Sequence, residues 1–160
     1  MVAREPVAGR PHFPSGYGIS TAKEGLLAWA WAVRKLESSR NYWVVTTSSQ
    51  GVPHAMPVWG LWLDGAVVFS TSPKSRKGRN LAANRRIVVH LESGDEVVVV
   101  EGEARETEID ERLAAEYEAK YDYRPEPGSP GGLWYRVAPR VVYAWLESDY
   151  PRSATRFVFD

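Results

Sequence analysis

The residues best suited to chemistry in this sequence form a short basic segment. Six Lys or Arg residues and no Asp or Glu fall between Lys74 and Arg86, and hydroxyl side chains precede or enter the segment at Thr71 and Ser75. The pattern predicts a loop that closes in a short helix over residues 77–84. Cations at a helix N-terminus oppose the helix dipole, and a bound phosphate would remove that conflict because it accepts hydrogen bonds from free backbone N–H groups. On composition alone, a phosphate-binding cradle and a solvated basic loop both remain open.

Other catalytic chemistry has little support. The chain has no cysteine and only three histidines, His12, His54 and His90. Thiolate metal sites, iron–sulfur clusters and cysteine nucleophiles are therefore excluded, and no metal site is expected. His54 could protonate a substrate or could be a strand histidine facing solvent or an interface, and His90 is expected in the core or an interface. No catalytic residue can be assigned.

Length and composition predict one globular domain. The chain has 160 residues, of which 44% are hydrophobic and 25% charged, as in ordinary folded proteins. Three prolines and three glycines lie in residues 1–18, which we interpret as an irregular arm. Residues 19–160 then form the single domain.

Charge is unevenly distributed along the chain. There are 12 Lys or Arg and 4 Asp or Glu through Leu91, a net +8, and 8 against 16 from Glu92 onward, a net −8. The first half is therefore suited to an anionic ligand or to the acidic half of a partner chain. The total of zero argues against nucleic-acid binding.

Targeting signals are not found. No run of 18 apolar residues predicts a membrane span, and the N-terminus lacks the apolar region of a signal peptide. We therefore expect a cytoplasmic protein that does not associate with membranes.

The elements that must position the basic segment are mostly strands. Helices are predicted over residues 21–36, from a capping box at 21–24, and over 110–121. Strands are predicted over 42–47, 54–63, 66–72, 87–91, 96–106, 133–138, 141–146 and 155–159. They follow one another as hairpins, which favours an antiparallel sheet closed into a small barrel with flanking helices. Residues 122–132 are expected to be a loop.

Several motifs, in order, resemble one known family. The sequence runs through YWVVTT at 42–47, GVPHAMPVW at 51–59, DG at 64–65, FSTS at 69–72, SRK at 75–77, NL at 80–81 and ATRFVF at 154–159. This order is similar to that of the pyridoxamine 5′-phosphate oxidase-like split β-barrel family, and in particular to its flavin- and deazaflavin (coenzyme F-420)-dependent oxidoreductases. The resemblance implies a homodimeric FMN-binding type of split barrel, with cofactor sites where two subunits meet.

The resemblance also implies a set of cofactor-binding residues. Strand 54–63 would run along the tricyclic ring, with backbone groups of Met56, Pro57 and Val58 near its polar edge. Asn80 would support the loop that holds the ribityl phosphate. The residues implied to bind that phosphate are Ser70, Thr71, Ser75, Arg76 and Lys77.

The substrate side of the site is less defined. His54 and Trp59 lie on or near the cofactor strand, and Trp145 and Arg156 are candidates to reach the site of the other subunit. Packing at a dimer interface is the alternative interpretation for these residues.

We expect coenzyme F-420 as the cofactor, with FMN as the alternative. One phosphate does not need all the positive charges of the basic segment. The additional cations, Lys74, Arg79 and Arg85, could bind the anionic tail of the deazaflavin. The expected function is hydride transfer between this cofactor and a small organic acceptor. The alternatives are an FMN-binding relative of pyridoxamine 5′-phosphate oxidase and a non-catalytic module that binds or senses a flavin, a deazaflavin or haem.

Overall fold

Eight strands and four α-helices make up the described part of the chain. The structure is a computed structural model that describes residues 5–128 and 132–160. The strands are β1 (Val7–Gly9), β2 (Asn41–Thr47), β3 (Pro53–Leu63), β4 (Ala66–Thr71), β5 (Arg86–His90), β6 (Glu96–Thr107), β7 (Leu133–Leu146) and β8 (Thr155–Val158). The helices are α1 (Trp29–Ser38), α2 (Arg76–Ala83), α3 (Glu111–Tyr121) and α4 (Tyr150–Ser153), the last preceded by a 3₁₀ turn, Glu147–Asp149.

The strands form a closed antiparallel barrel. The sheet order is β1-β8-β7-β4-β3-β2-β5-β6, and an additional β7–β6 pairing closes six of these strands into a ring. β8 and β1 extend the sheet outward from β7. The predicted fold class, a mainly β split barrel with flanking helices, is confirmed.

Period-two alternation places the barrel core. In β2 the side chains of Tyr42, Val44 and Thr46 are fully buried while their neighbours are half-buried. Successive residues of a strand point to opposite faces of the sheet. Phe69 of β4 and Phe157 of β8 are also fully buried and belong to the same cluster.

The predicted start of the first helix is wrong. The capping box at residues 21–24 does not begin a helix, which instead starts at Trp29 after the N-cap Ala28. Gly25 adopts a φ of +86°, which no right-handed helix contains. The segment is held by tertiary bonds: the Leu27 N–H donates to Thr155 Oγ1 at 2.8 Å, and the Arg10 guanidinium donates to backbone carbonyls of residues 22 and 24.

Two further boundaries differ from the sequence prediction. The arm is not wholly irregular, because Val7–Gly9 pairs with β8. The expected strands 133–138 and 141–146 are one continuous β7. Its register with β6 shifts between Glu101 and Gly102, and such a bulge accommodates Pro139 without ending the strand. Residues 122–128 form the expected loop, and 129–131 lie outside the described residues.

Candidate functional site: a capped basic helix beside an open strand edge

The turn between β4 and α2 is held by hydroxyl groups. Ser75 is the N-cap of α2, and its Oγ accepts a hydrogen bond from the Gly78 N–H at 3.0 Å. The same Oγ lies 2.9 Å from Thr71 Oγ1 at the end of β4. The Ser75 N–H donates to the Ser72 carbonyl at 3.0 Å. The helix N-terminus is therefore fixed against the strand that precedes it.

Gly78 lets α2 approach this turn closely. A Cβ at position 78 would lie 2.3 Å from the Ser72 carbonyl oxygen and 2.8 Å from Pro73 Cα. Those distances are far below van der Waals contact, and both atoms belong to the backbone. A residue without a side chain is needed here so that the first turn of α2 can lie against residues 72–73.

A buried polar pair fixes the other side of the helix. Asn80 is 5% exposed and Thr46 is fully buried, and Asn80 Nδ2 donates to Thr46 Oγ1 at 3.0 Å. Buried amides require such partners. This bond ties α2 to β2, and the role implied for Asn80 in supporting a phosphate-binding loop stays a prediction.

The cations of the first helical turn have no carboxylate beside them. α2 has no acidic residue in its first turn. Among residues 5–128 and 132–160, the ion pairs involve Lys35, Arg112, Arg124 and Arg152, so Arg76 and Lys77 are in none of them. Positive charge and the unpaired N–H groups of the helix therefore coincide at one place.

His54 lies close to these cations. Loss of solvent and the positive charges of Arg76 and Lys77 lower the pKa of His54. Its ordinary value is already below neutrality, so the imidazole is neutral at pH 7. His54 pairs with Thr46 across β2–β3, which brings the start of β3 next to α2.

The first half of β3 has an open edge. Residues 53–59 pair with β2, whereas pairing with β4 begins only at Gly60. The side of β3 that faces away from β2 therefore has no strand partner over that stretch among the residues that the structure describes. Met56 and Trp59 are 43% and 42% exposed, and Pro57 is compatible with an edge because proline cannot donate to a ladder.

The structure thus brings most of the predicted phosphate and ring residues together. The start of α2 is surrounded by Thr71, Ser75, Arg76 and Lys77, which we call the cradle. The open edge of β3 begins beside the cradle at His54 and carries Met56, Pro57 and Val58. Sequence reasoning missed Thr46 and Gly78. A threonine ending an apolar strand and a glycine after SRK were the available signals.

Ser70 is not on the same face as Thr71. Ser70 is two positions after Val68, so the two side chains point to the same face of β4. Val68 packs in the smaller cluster beneath α3, and Ser70 is therefore directed toward α3. A cavity of about 580 Å³ lies there, and its walls include Ser70 and Thr71 as well as Tyr117 and Trp134. Ser70 and Thr71 therefore both border this cavity, at the end of β4.

The predicted substrate residues other than His54 lie on three different strands, β3, β7 and β8. Trp59 stacks on Tyr121 with ring centroids 4.7 Å apart. Trp145 packs edge-on against Tyr150 at 5.7 Å, and Arg156 is on β8.

His90 has local contacts only. Its ring is parallel to that of Trp43 with centroids 6.1 Å apart, and its Nδ1 lies 2.8 Å from the Leu91 carbonyl oxygen. We assign it no role in the site.

Comparison with known proteins shows the family of this chain. The model for the family "pyridoxamine 5′-phosphate oxidase" matches residues 31–146, which include the whole cradle and β3. The chain belongs to this family. Family membership agrees with the barrel.

Solved structures agree on the fold. A conserved hypothetical protein from Mycobacterium tuberculosis aligns with a TM-score of 0.65 and 24% identity, over 75% of this chain and 85% of that one. A haem-binding protein from Mycobacterium smegmatis gives 0.57 and 22%, over 74% and 54%. An F420 reductase gives 0.55 and 20%, over 68% and 93%. No curated protein sequence matches significantly.

The described residues include neither a metal-binding cluster nor a membrane-spanning helix. Within residues 5–128 and 132–160, no group of three or more His, Cys, Asp or Glu side chains could hold a metal ion. None of the helices in that part of the chain is long and apolar enough to span a bilayer.

Proposed function

We propose that this protein binds coenzyme F-420 in the cradle at the start of α2 and transfers a hydride between the deazaflavin and a small organic acceptor. The observation that carries the proposal is the coincidence of a capped helix N-terminus, two cations without a carboxylate partner and an open strand edge. Family membership supports a flavin-type cofactor in general. The choice of the deazaflavin and of turnover is our own.

The donor set fits a phosphate. The first N–H groups of a helix and its dipole attract anions, while Lys77 adds a point charge and Arg76 a planar guanidinium. Thr71 and Ser75 share a hydrogen bond at 2.9 Å, so their hydroxyl groups are already oriented on one side of the turn. These groups would hold the ribityl phosphate.

The open edge of β3 fits the polar rim of a tricyclic ring. Free backbone N–H and C=O groups on an edge strand accept a partner of complementary pattern. Residues 53–59 offer such groups beside the cradle, and Met56 and Val58 alternate with Pro57 along that edge. The backbone of these three residues would orient the ring.

Additional cations favour the deazaflavin over FMN. Lys74, Arg79 and Arg85 are exposed near α2, and Arg79 Nη1 donates to the Lys74 carbonyl at 2.5 Å, which fixes its guanidinium by the turn. One phosphate does not need this much positive charge. An extended anionic tail would use it.

A homodimer is part of the proposal. A row of paired residues crosses the outer face of five adjacent strands and is aliphatic except for Glu101. The other members are Val45, Val88, Val141 and Val158, all half-buried. A second copy packed on this face would bury the row, and would bring its own Trp145 and Arg156 toward the cradle.

The residues of this chain would bind and orient the cofactor and the substrate, while the cofactor carries the hydride chemistry when bound. Because His54 is neutral near pH 7, we assign it the role of accepting a proton or hydrogen bond at its imidazole nitrogen. It would not be the acid that protonates a reduced substrate. We place the protein in the cytoplasm as part of the proposal, since a chain without cysteine suits a reducing compartment.

Cofactor titration tests the proposal. Purified protein is titrated separately with F-420, FMN and haem, followed by fluorescence quenching for the first two and by absorbance for haem. We expect F-420 to bind most tightly. Lys77→Ala should raise its Kd by roughly ten- to a hundredfold, because charge-assisted hydrogen bonds contribute about 1.5–3 kcal/mol. Lys23→Ala removes an exposed cation outside the cradle and should leave Kd unchanged.

Two further measurements separate the parts of the proposal. Oxidation of reduced F-420 on addition of an enone or a quinone would support the enzyme, and tight binding without turnover would refute catalysis with those acceptors. Binding of FMN alone would refute the deazaflavin. Binding of haem alone would refute the cradle. Light scattering that gives the monomer mass of 18.0 kDa would refute the dimer.

A further inference from the structure

A second recess lies at the opposite end of β3 from the cradle. It is bounded by α1, α3, the β3–β4 hairpin and β7, and has a volume of about 1440 Å³. Its walls include Trp29, Leu61, Trp62 and Lys120. Residues 54 and 63 of β3 are separated by roughly 30 Å at the usual rise of a strand. We call this recess the α3 groove.

We propose that Lys120 is a reactive amine that forms an imine with a small aromatic aldehyde bound in the α3 groove. The proposal is independent of the function assigned to the cradle. It rests on the contacts of the Lys120 ammonium group, on the charges around it and on the side chains that line the groove.

The hydrogen bonds of Lys120 suit a neutral amine. Its Nζ lies 3.0 Å from Tyr42 Oη and 3.0 Å from the Gly60 carbonyl oxygen. Tyr42 Oη donates its own proton to the Leu36 carbonyl at 2.5 Å, so it can only accept from Lys120. These two acceptors match the two N–H bonds of an –NH₂ group, which leaves the nitrogen lone pair without a protein partner.

The charges near Lys120 do not stabilise an ammonium ion. Burial disfavours the charged form and Arg40, before β2, repels it, so the pKa of Lys120 is lowered to about 8. Glu37 of α1 and Glu116 of α3 also line the groove. Within the described residues, neither carboxylate is within 4.0 Å of Nζ.

Two aromatic rings contact Lys120 directly. Its Nζ lies over Tyr42 and Tyr121, 4.8 and 5.4 Å from the ring centroids. These ring faces attract an ammonium ion, but burial and Arg40 outweigh that attraction, because the pKa of Lys120 is lowered despite it. The Tyr42 hydroxyl is held protonated because burial, together with the proximity of Tyr121, raises its pKa. Tyr121 Oη lies 2.7 Å from the Gly60 carbonyl oxygen and its pKa is also raised, chiefly by burial. Neither phenol therefore supplies a counter-charge near pH 8.

The walls of the groove favour an aromatic ligand. Trp29 and Trp62 meet edge-to-face with centroids 6.0 Å apart, and Leu61, Leu63 and Phe159 continue the apolar wall. Aromatic rings pack against such edges and faces with a gain beyond area burial. An aldehyde attached to an aromatic ring could thus place its carbonyl carbon near Nζ.

The reaction balances without a further reactant. The lone pair of Lys120 Nζ attacks the aldehyde carbon, the carbonyl oxygen takes up a proton from water, and the nitrogen returns one of its protons to water, which gives a carbinolamine. Loss of water then forms the C=N bond. Both nitrogen protons and the carbonyl oxygen leave as one molecule of water, so no oxidant or reductant is consumed.

Competitive labelling of native protein tests the inference. Benzaldehyde and cyanoborohydride, which reduces an imine to a stable secondary amine, are added at about pH 7.5, and peptide mass spectrometry measures the rate at each of the five lysines. Lys35 is the matched control, because it is also partly buried but its Nζ is bonded to Glu96 at 2.6 Å. We expect Lys120 to react on the order of tenfold faster than Lys35, since a pKa near 8 leaves a much larger neutral fraction than an ordinary lysine has.

Three comparisons decide the result. The preference for Lys120 should be larger with benzaldehyde than with acetaldehyde, and should disappear in denaturant. Lys120→Arg keeps a cation but not the nucleophile, so it should lose the fast label. If that variant does not fold, the rates in the wild-type protein still decide. Labelling of Lys120 at or below the rate of Lys35, or the same preference with acetaldehyde, would overturn the proposal.

Discussion

Replacing Gly78 by alanine should disrupt the cradle through one steric contact. The added Cβ would lie 2.3 Å from the Ser72 carbonyl oxygen and 2.8 Å from Pro73 Cα. Neither atom can rotate away, because both belong to the backbone of the turn that precedes the N-cap Ser75. The helix or the turn must therefore move.

Two opposing effects set the size of the change. Alanine is favoured over glycine inside a helix by roughly 0.5–1 kcal/mol. Overpacking a tight contact costs about 1–3 kcal/mol, and a 2.3 Å contact lies at the severe end of that range. The steric effect wins, so we expect Gly78→Ala to lower the free energy of unfolding by about 1–2 kcal/mol. The shift would also separate the helix N–H groups from Thr71, which should raise the Kd of the cofactor.

Urea unfolding followed by tryptophan fluorescence measures the first effect, and F-420 titration measures the second. Gly94→Ala is the control, because a Cβ at position 94 meets no atom within 4 Å and its φ is not in the left-handed region. That variant should change stability by less than about 0.5 kcal/mol. A Gly78→Ala protein as stable as the wild type, with unchanged Kd, would refute the close approach of α2 to the turn.

Three other predictions concern the supports of the site and of the groove. Thr46→Val leaves the buried Asn80 amide without its acceptor and should cost about 1–3 kcal/mol in urea unfolding, whereas no loss would contradict the Asn80–Thr46 bond. Asp110→Ala removes the N-cap of α3, whose carboxylate accepts from the Leu113 N–H at 2.7 Å, and should cost about 1 kcal/mol by the same assay. Lys120 has a pKa of about 8 in the folded protein against 10.5 for the free side chain. Between pH 8 and pH 10.5 Lys120 is protonated in the unfolded chain but largely neutral in the folded protein. The unfolded state therefore binds more protons, so this lysine makes the free energy of unfolding rise with pH. Lys120→Met should show a smaller rise than wild type across that interval, and an equal rise would exclude the lowered pKa.

Local pattern was sufficient where one face of an element is buried. The run of β-branched and aromatic residues at 42–47 predicts β2, and the structure confirms this strand. A helix is predicted over residues 110–121, and the structure has α3 there, with the Asp110 carboxylate as its N-cap. Both signals depend on residues within a few positions of one another, so sequence alone contains them.

Local pattern failed where distant contacts override it. Residues 21–24 have the spacing of a capping box, yet the guanidinium of Arg10 and the hydroxyl of Thr155 hold the adjoining backbone in a non-helical course. Pro139 predicts a break between two strands, but a bulge in β7 beside it, where Arg140 is the extra residue opposite Glu101 and Gly102, lets β7 continue. These contacts join residues far apart in sequence, and no window of sequence reports them.

The sequence by itself determined the class of the protein: alternating strands arranged as hairpins, and a cationic helix start after a run of hydroxyl residues. Only the tertiary structure decided what those parts surround. It placed His54 near Arg76 and Lys77 and put Lys120 against Tyr42 and Gly60. The physical reason is that barrel closure sets strand register and the direction of each side chain, and closure depends on the whole chain.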